Sequence, residues 1–252
     1  MTFRTLASTL LVATVASGYA GFRIGSQFQN NRLCCAVPVY RNVRLSVQQR
    51  LGLVRFYSQI GQDIWVLETA LPGLRNGYFL DVGSADGTSL SNTKALEERG
   101  WNGICVDPFP THMEGRACQM FKEVVFSEAG KRMKFSTAGE LGGLTDTLGG
   151  GKAYAVQSPA VEFTTVTLGD ILMRAKAPHR IDFMSLDIEG AELEALRGFP
   201  FDRYQLGALA VEHNFEEPKR GQILELMKNH GFARVHTWHQ DDFYLPRRSS
   251  AE

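Results

Sequence analysis

The chain has 252 residues, 27 basic against 27 acidic side chains and 44% hydrophobic residues, enough for one ordinary globular domain with an appendage. A formal net charge of zero argues against nucleic acid as the main partner, which would need a basic surface. No C-x-x-C pair marks a zinc site, and four cysteines suit a reducing compartment, with Cys105 packed in a strand as a free thiol.

Residues 5–22 carry no charge and lie between Arg4 and Arg23. As a helix they span about 27 Å, enough for a thin bilayer core. A cleaved secretory signal ending near Gly18-Tyr19-Ala20 is one rival; an organellar presequence is another, since no acid precedes Asp63. From Arg23 to Arg55 there are six arginines and no acid. The positive-inside rule therefore favours a single-pass N-terminal membrane anchor with the folded domain in the cytoplasm, over a secreted or organellar product. Cys34-Cys35 is either a lipidation site or a linker feature. The expected division is an anchor or signal at 1–24, a basic linker at 25–56, a folded domain at 57–246 and a tail at 247–252.

Residues 60–71 have an amphipathic helical pattern that Pro72-Gly73 ends. Residues 78–82 form a short apolar run that ends in an acid and opens onto glycines, as a buried parallel strand entering a tight turn does. Gly83 and Gly87 bracket that turn. A helix over 89–99 follows, capped by Thr88 or Ser89, and then a second buried strand over 103–106. Asp107 stands at its tip, twenty residues past Gly87. An acid at that place can accept hydrogen bonds from the ribose hydroxyls of a nucleoside.

The motif is Asp-x-Gly-x-x-x-Gly. Ala85 and Thr88 stand where a dinucleotide fingerprint needs glycine, and no phosphate-cradling G-x-x-x-x-G-K-[ST] loop occurs. A carboxylate at Asp81 repels a pyrophosphate and suits a cofactor with a cationic end. S-adenosylmethionine fits, with an ammonium, a sulfonium and no phosphate. The bland alternative is a glycine turn in an ordinary α/β core.

Residues 123–126 read as the third parallel strand of the sheet, with Ser127-Glu128 at its tip, and 133–136 and 161–166 as further strands. Between these lies a glycine-rich insertion, 138–151, read as a mobile lid or a surface loop. A helix over 168–175, a fourth strand over 181–186 ending at Asp187, and a helix over 189–197 follow. A fifth strand over 206–211 leads into Glu212-His213-Asn214. A helix over 217–230 and a terminal hairpin (232–238 and 243–245) complete the chain. The order predicts an α/β fold: a doubly wound, mostly parallel seven-stranded Rossmann-like sheet with an antiparallel terminal strand.

Taken in order, several segments resemble the FkbM-type methyltransferases. They are Tyr57-Ser58-Gln59-Ile60-Gly61-Gln62-Asp63, the loop from Asp81 to Gly87, Ser91-Asn92-Thr93, Gly100 to Pro108, Ser185 to Glu192, and Val211-Glu212-His213-Asn214. The resemblance implies a class I S-adenosylmethionine-dependent enzyme that methylates oxygen, often on a sugar, lipid or secondary metabolite. It places the cofactor against Asp81, Gly83, Ser84, Asp86, Gly87, Asp107, Pro108 and Glu128, the last facing adenine.

Such a reaction needs an aligned acceptor and a group to take its proton. His213 is the first candidate base, since an imidazole is neutral near pH 7. Asp187 is second, and Glu189 can reach the acceptor, while Glu192 reads as a solvated acid. Asp187, Glu189 and His213 could also hold a divalent cation, although no tight ligand spacing supports it. The alternative function is a membrane-tethered, non-catalytic interaction or trafficking protein on the same fold. The expected partners are a small-molecule, glycan or lipid acceptor, and a membrane through the N-terminal helix, with no nucleic acid.

Overall fold

The computed structural model describes residues 55–148 and 153–247. The anchor or signal and nearly all of the basic linker lie outside them. Among the described residues no helix is long and apolar enough to cross a membrane.

The chain opens with α1 (Gln62–Trp65), continued as a π-helical turn over Val66–Ala70. It then runs β1 (Tyr78–Val82), α2 (Lys94–Glu97), β2 (Asn102–Val106), β3 (Gln119–Phe121), β4 (Val124–Val125), β5 (Arg132–Ser136), α3 (Ala153–Gln157) and β6 (Ala160–Val166). The second half is α4 (Leu168–Arg174), β7 (Arg180–Leu186), α5 (Glu192–Arg197), β8 (Gln205–Glu212), α6 (Lys219–Asn229), β9 (Phe232–Trp238) and β10 (Asp241–Pro246).

Seven strands form one sheet in the order β3-β2-β1-β7-β8-β10-β9. All neighbours are parallel except β10, which enters antiparallel between β8 and β9. The first, second, fourth and fifth expected strands are therefore in the sheet, and so is the antiparallel last one.

Both faces of this sheet are buried, so its central strands read as unbroken apolar runs. Phe79, Phe183 and Phe243 pack one face with Trp65 and Trp101. Leu80, Met184 and Leu209 pack the other with Leu168, Ile171, Leu196 and Met227. Each fully buried side chain of this kind contributes about 2 kcal/mol.

The third strand is corrected. The edge strand beside β2 is β3, with Ile104 opposite Gln119 and Val106 opposite Phe121. The apolar pair of β4 pairs with β6 instead, in a second sheet ordered β4-β6-β5. A buried valine pair looks the same in either sheet, so periodicity could not choose its partner.

Two helices are shorter than expected. Leu90 has φ 58°, which breaks any helix over 89–99. Asp86 instead accepts the N–H groups of Thr88 and Ser89, and Ser91 Oγ accepts from Lys94 N–H at 3.1 Å. Glu189 and Gly190 also have positive φ, so α5 starts at Glu192. Glu192 is buried rather than solvated. Its Oε1 accepts from the N–H groups of Ile188 and Gly190, and Lys219 pairs with it at 3.3 Å.

Cys105 is not a free thiol. It forms a disulfide with Cys118, the residue before β3, across a Cα separation of 5.8 Å set by strand pairing.

Candidate active site

The parallel strands β1, β2 and β7 deliver Asp81, Asp107 and Asp187 to one end of the sheet, where open α/β folds bind ligands. All three acids line a cavity of about 1070 Å³. Its floor is the turn after β1. Gly83 has φ +87°, and a Cβ there would lie 1.7 Å from the carbonyl oxygen of Asp187. Only glycine lets β1 and β7 approach so closely while the chain turns. The N–H groups of Gly83 and Ser84 donate to Val106 O, which ties the turn to β2.

Asp81 is buried at the cavity wall, where Thr93 Oγ1 donates to its Oδ2 at 2.5 Å. Burial pushes its carboxyl above the usual range, and the Arg116 guanidinium and the Thr93 hydroxyl act against that push. Burial likewise raises Asp107, opposed by N–H bonds from Phe109 (2.7 Å) and Ala85 (2.9 Å). Burial also acts on Asp86, but the Ser89 and Thr88 N–H groups and the His112 imidazole outweigh it and hold the carboxyl below its ordinary value. The loops after β1 and β2 are thus zipped together. Thr111 N–H donates to Ala85 O, and Gly87 N–H to Thr111 O.

Of the expected cofactor residues, Asp81, Gly83, Ser84, Asp86, Asp107 and Pro108 line the cavity. Gly87 and Glu128 are not among its lining residues. Gly87 faces Met113 and receives Arg116 on its carbonyl. The Glu128 side chain is 69% exposed and pairs with Lys131, because it follows β4 of the second sheet rather than the edge of the first.

His213 is also placed elsewhere. Its side chain is buried behind the cavity wall, its Nδ1 accepts from Phe215 N–H, and its Nε2 lies 3.7 Å from Asp242. Burial lowers its pKa, Asp242 opposes this, and Arg220 and Arg234 reinforce it. The residues on either side, Glu212 at the end of β8 and Asn214 in the turn after it (φ 46°), line the cavity instead. The acids that cluster in the cavity are therefore Asp187, Glu189 and Glu212, one carboxylate oxygen of each lying within 4.8 Å of the others. That spacing suits a hard divalent cation or a set of hydroxyl donors. Asn214 Nδ2 donates to both Glu189 and Glu212.

Three contributors were missed by sequence reasoning. The Arg116 side chain is buried and donates to Gly87 O, Ser91 Oγ, Thr93 Oγ1 and Glu97. No local pattern marks it, since these partners are 19 to 29 residues away. Asp63, within the first quoted motif, accepts from Tyr57 N–H, Ser58 N–H and Oγ, and Ile64 N–H. This turn holds Gln59 and Gln62 in the cavity wall. Asp241 accepts from Gln62 at 2.8 Å, and its carboxyl is pushed up to about 8 by burial and then by the charge of Asp187.

Residues 81–233 match the methyltransferase FkbM domain. No curated protein matches the chain. Among solved structures it is similar to a Pyrococcus horikoshii protein described, by inference, as an RNA methyltransferase, at 10% identity over 82% of this chain and all of that one. The TM-score is 0.36, too slight a likeness to argue from. With the matched domain covering more than half of its length and carrying all three strand-tip acids, the chain belongs to the FkbM methyltransferase family.

Proposed function

We propose that the protein is an S-adenosylmethionine-dependent O-methyltransferase acting on a hydroxyl of a sugar, lipid or secondary metabolite. The observation that carries this reading is the meeting of Asp81, Asp107 and Asp187 at one cavity. The cavity's chemistry fits the cofactor. Ser84 Oγ is buried at the cavity and finds no hydrogen-bond partner among the described residues, and the same holds for Asn92 Oδ1. Such orphan atoms are costly unless a ligand satisfies them. The acidic lining favours a cationic ligand over a pyrophosphate.

S-adenosylmethionine supplies an activated methyl group when bound. Asp81 is suited to its ammonium, and each Asp107 oxygen, with one backbone N–H already, retains a lone pair for a ribose hydroxyl. Asp187 replaces His213 as the base, since it lines the cavity beside the glycine turn and His213 does not. It holds the acceptor hydroxyl and receives its proton, while Glu189 orients the acceptor.

The test is calorimetric titration of the full chain with S-adenosylhomocysteine, the demethylated product. Binding that Asp107→Ala weakens supports the reading. No binding to the unaltered protein points to the non-catalytic alternative on the same fold. Attachment through residues 5–22 is a separate proposal, tested by whether the chain sediments with membranes and resists carbonate extraction.

A further inference from the structure

The part of the cavity around Asp187 has two unlike walls. One is polar. Asp187, Glu189 and Glu212 converge there, and the Asn214 amide donates to both glutamates. Carboxylates accept, while amides donate and accept, so this wall matches groups that do both at several adjacent positions. Hydroxyls on neighbouring carbons are such groups.

The other wall belongs to the second sheet and its insertion, and there large apolar side chains stand among Ser136, Thr137 and Glu140. Phe135 lines it, its ring tilted against that of Phe109 with the centroids 5.8 Å apart. Leu141 is 50% exposed and Tyr154 72% exposed, and both line the same cavity. Large apolar side chains left open at a cavity mouth mark a surface that something apolar covers.

These two walls adjoin. A Cβ at Gly143 would lie 3.1 Å from Glu189 Cβ, and one at Gly190 would lie 2.2 Å from Thr147 O. The insertion therefore rests directly on the acidic corner, two residues from Leu141. The volume, about 1070 Å³, exceeds what one drug-sized ligand needs, leaving room beside a cofactor.

Resting on the methyltransferase reading above, we propose that the acceptor is an amphiphile. A polyhydroxylated head such as a hexose sits against Asp187, Glu189 and Glu212, and an attached apolar chain lies over Phe135, Leu141 and Tyr154. Neither a free sugar nor a simple alcohol satisfies both walls.

The experiment uses the full-length chain saturated with S-adenosylhomocysteine. Its affinities are measured by saturation-transfer NMR for octyl glucoside below its micelle concentration, glucose, 1-octanol and octylamine. Octyl glucoside should bind at least about tenfold tighter than the other three, since several buried methylenes and a satisfied head each exceed the free-energy step of one decade. The double substitution L141S/Y154S, at exposed positions, should remove about tenfold of that affinity and leave S-adenosylhomocysteine binding unchanged. Glucose binding equally well overturns the apolar wall, and octanol binding equally well overturns the polar one. Tighter binding of octylamine assigns the acidic corner to a cationic head instead. An L141S/Y154S protein with undiminished affinity also sinks the proposal. Failure of S-adenosylhomocysteine to bind at all is a different result and removes the methyltransferase reading itself.

Discussion

Arg116 reaches Asp81 through a single hydroxyl. Arg116 Nη2 donates to Thr93 Oγ1 at 2.8 Å, and Thr93 Oγ1 donates to Asp81 at 2.5 Å. Burial raises the Asp81 carboxyl, and the relay opposes that rise by favouring the charged form. Thr93→Val removes the donor and keeps the shape. The Asp81 carboxyl should then rise further, and cofactor affinity, which needs the carboxylate, should be lost at higher pH as acid is added. Titration of S-adenosylhomocysteine binding from pH 8 to pH 5 checks this; superimposable pH curves for the two proteins count against the relay.

Asp107 and Glu128 should part company. Asp107 lines the cavity, while Glu128 is paired on the surface. Asp107→Ala removes hydrogen bonds to a charged group, each about 1.5–3 kcal/mol, so affinity for S-adenosylhomocysteine should fall by about 10- to 100-fold. Glu128→Ala should leave it unchanged, within the small range of exposed ion pairs. Equal losses at both positions would restore the adenine-side role expected for Glu128.

His213 and Asp187 should differ in turnover. Asp187→Asn should lower the methyl-transfer rate by about 10²–10⁴, the range of a lost general base. His213→Gln should lower thermal stability, because it disturbs a buried group beside Asp242, and leave the rate of the folded protein nearly intact. Single-turnover measurements separate the two effects. A rate collapse in His213→Gln with an unchanged melting temperature returns the base to His213.

Asp241 should make stability depend on pH. Its folded pKa of about 8 lies above the ordinary carboxylate value of 3.8. Between those values the unfolded chain releases a proton that the folded protein keeps. The contribution of Asp241 to stability is thus full below pH 3.8 and is lost progressively as pH rises toward 8. Asp241→Asn keeps an acceptor for Gln62 and removes this slope. Its melting temperature should exceed that of the unaltered protein at pH 8.5, with the gap closing as the pH falls toward 5.

The Cys105–Cys118 pair closes a short loop that carries Arg116 and anchors β3. Loss of a disulfide around a loop of this size costs about 3 kcal/mol. Cys118→Ser should reduce unfolding stability by about that much and expose the β3 edge to hydrogen exchange. Disulfides persist in oxidising compartments, whereas the cysteine count pointed to a reducing one. Alkylation of unreduced cell extracts should find Cys105 and Cys118 protected until reductant is added.

Much of the fold was legible because the central strands are buried on both faces. Apolar runs at 78–82, 103–106, 181–186 and 206–211 allow few other readings, and each ends in a polar residue at the ligand-binding edge. Errors fell where two partners were equally apolar or where one backbone angle mattered. Val124–Val125 could join either sheet, and positive φ at Leu90 and Glu189 shortened two helices. The site divided in the same way. Asp81, Asp107 and Asp187 stand at strand tips, where position in the chain predicts position in space. His213 lies just past β8, and which way it faces rests on the turn of the backbone there.

The sequence by itself determined the alternation of strand and helix, the glycine turn and the acids that end three parallel strands, because these follow from local periodicity and backbone sterics. Only the tertiary structure decided that Glu212 rather than His213 joins Asp187 and Glu189, that Arg116 supports Asp81, and that the glycine-rich insertion rests on the acidic corner. Those are contacts between residues far apart in the chain. They depend on strand register and loop packing, which no local pattern of residues encodes.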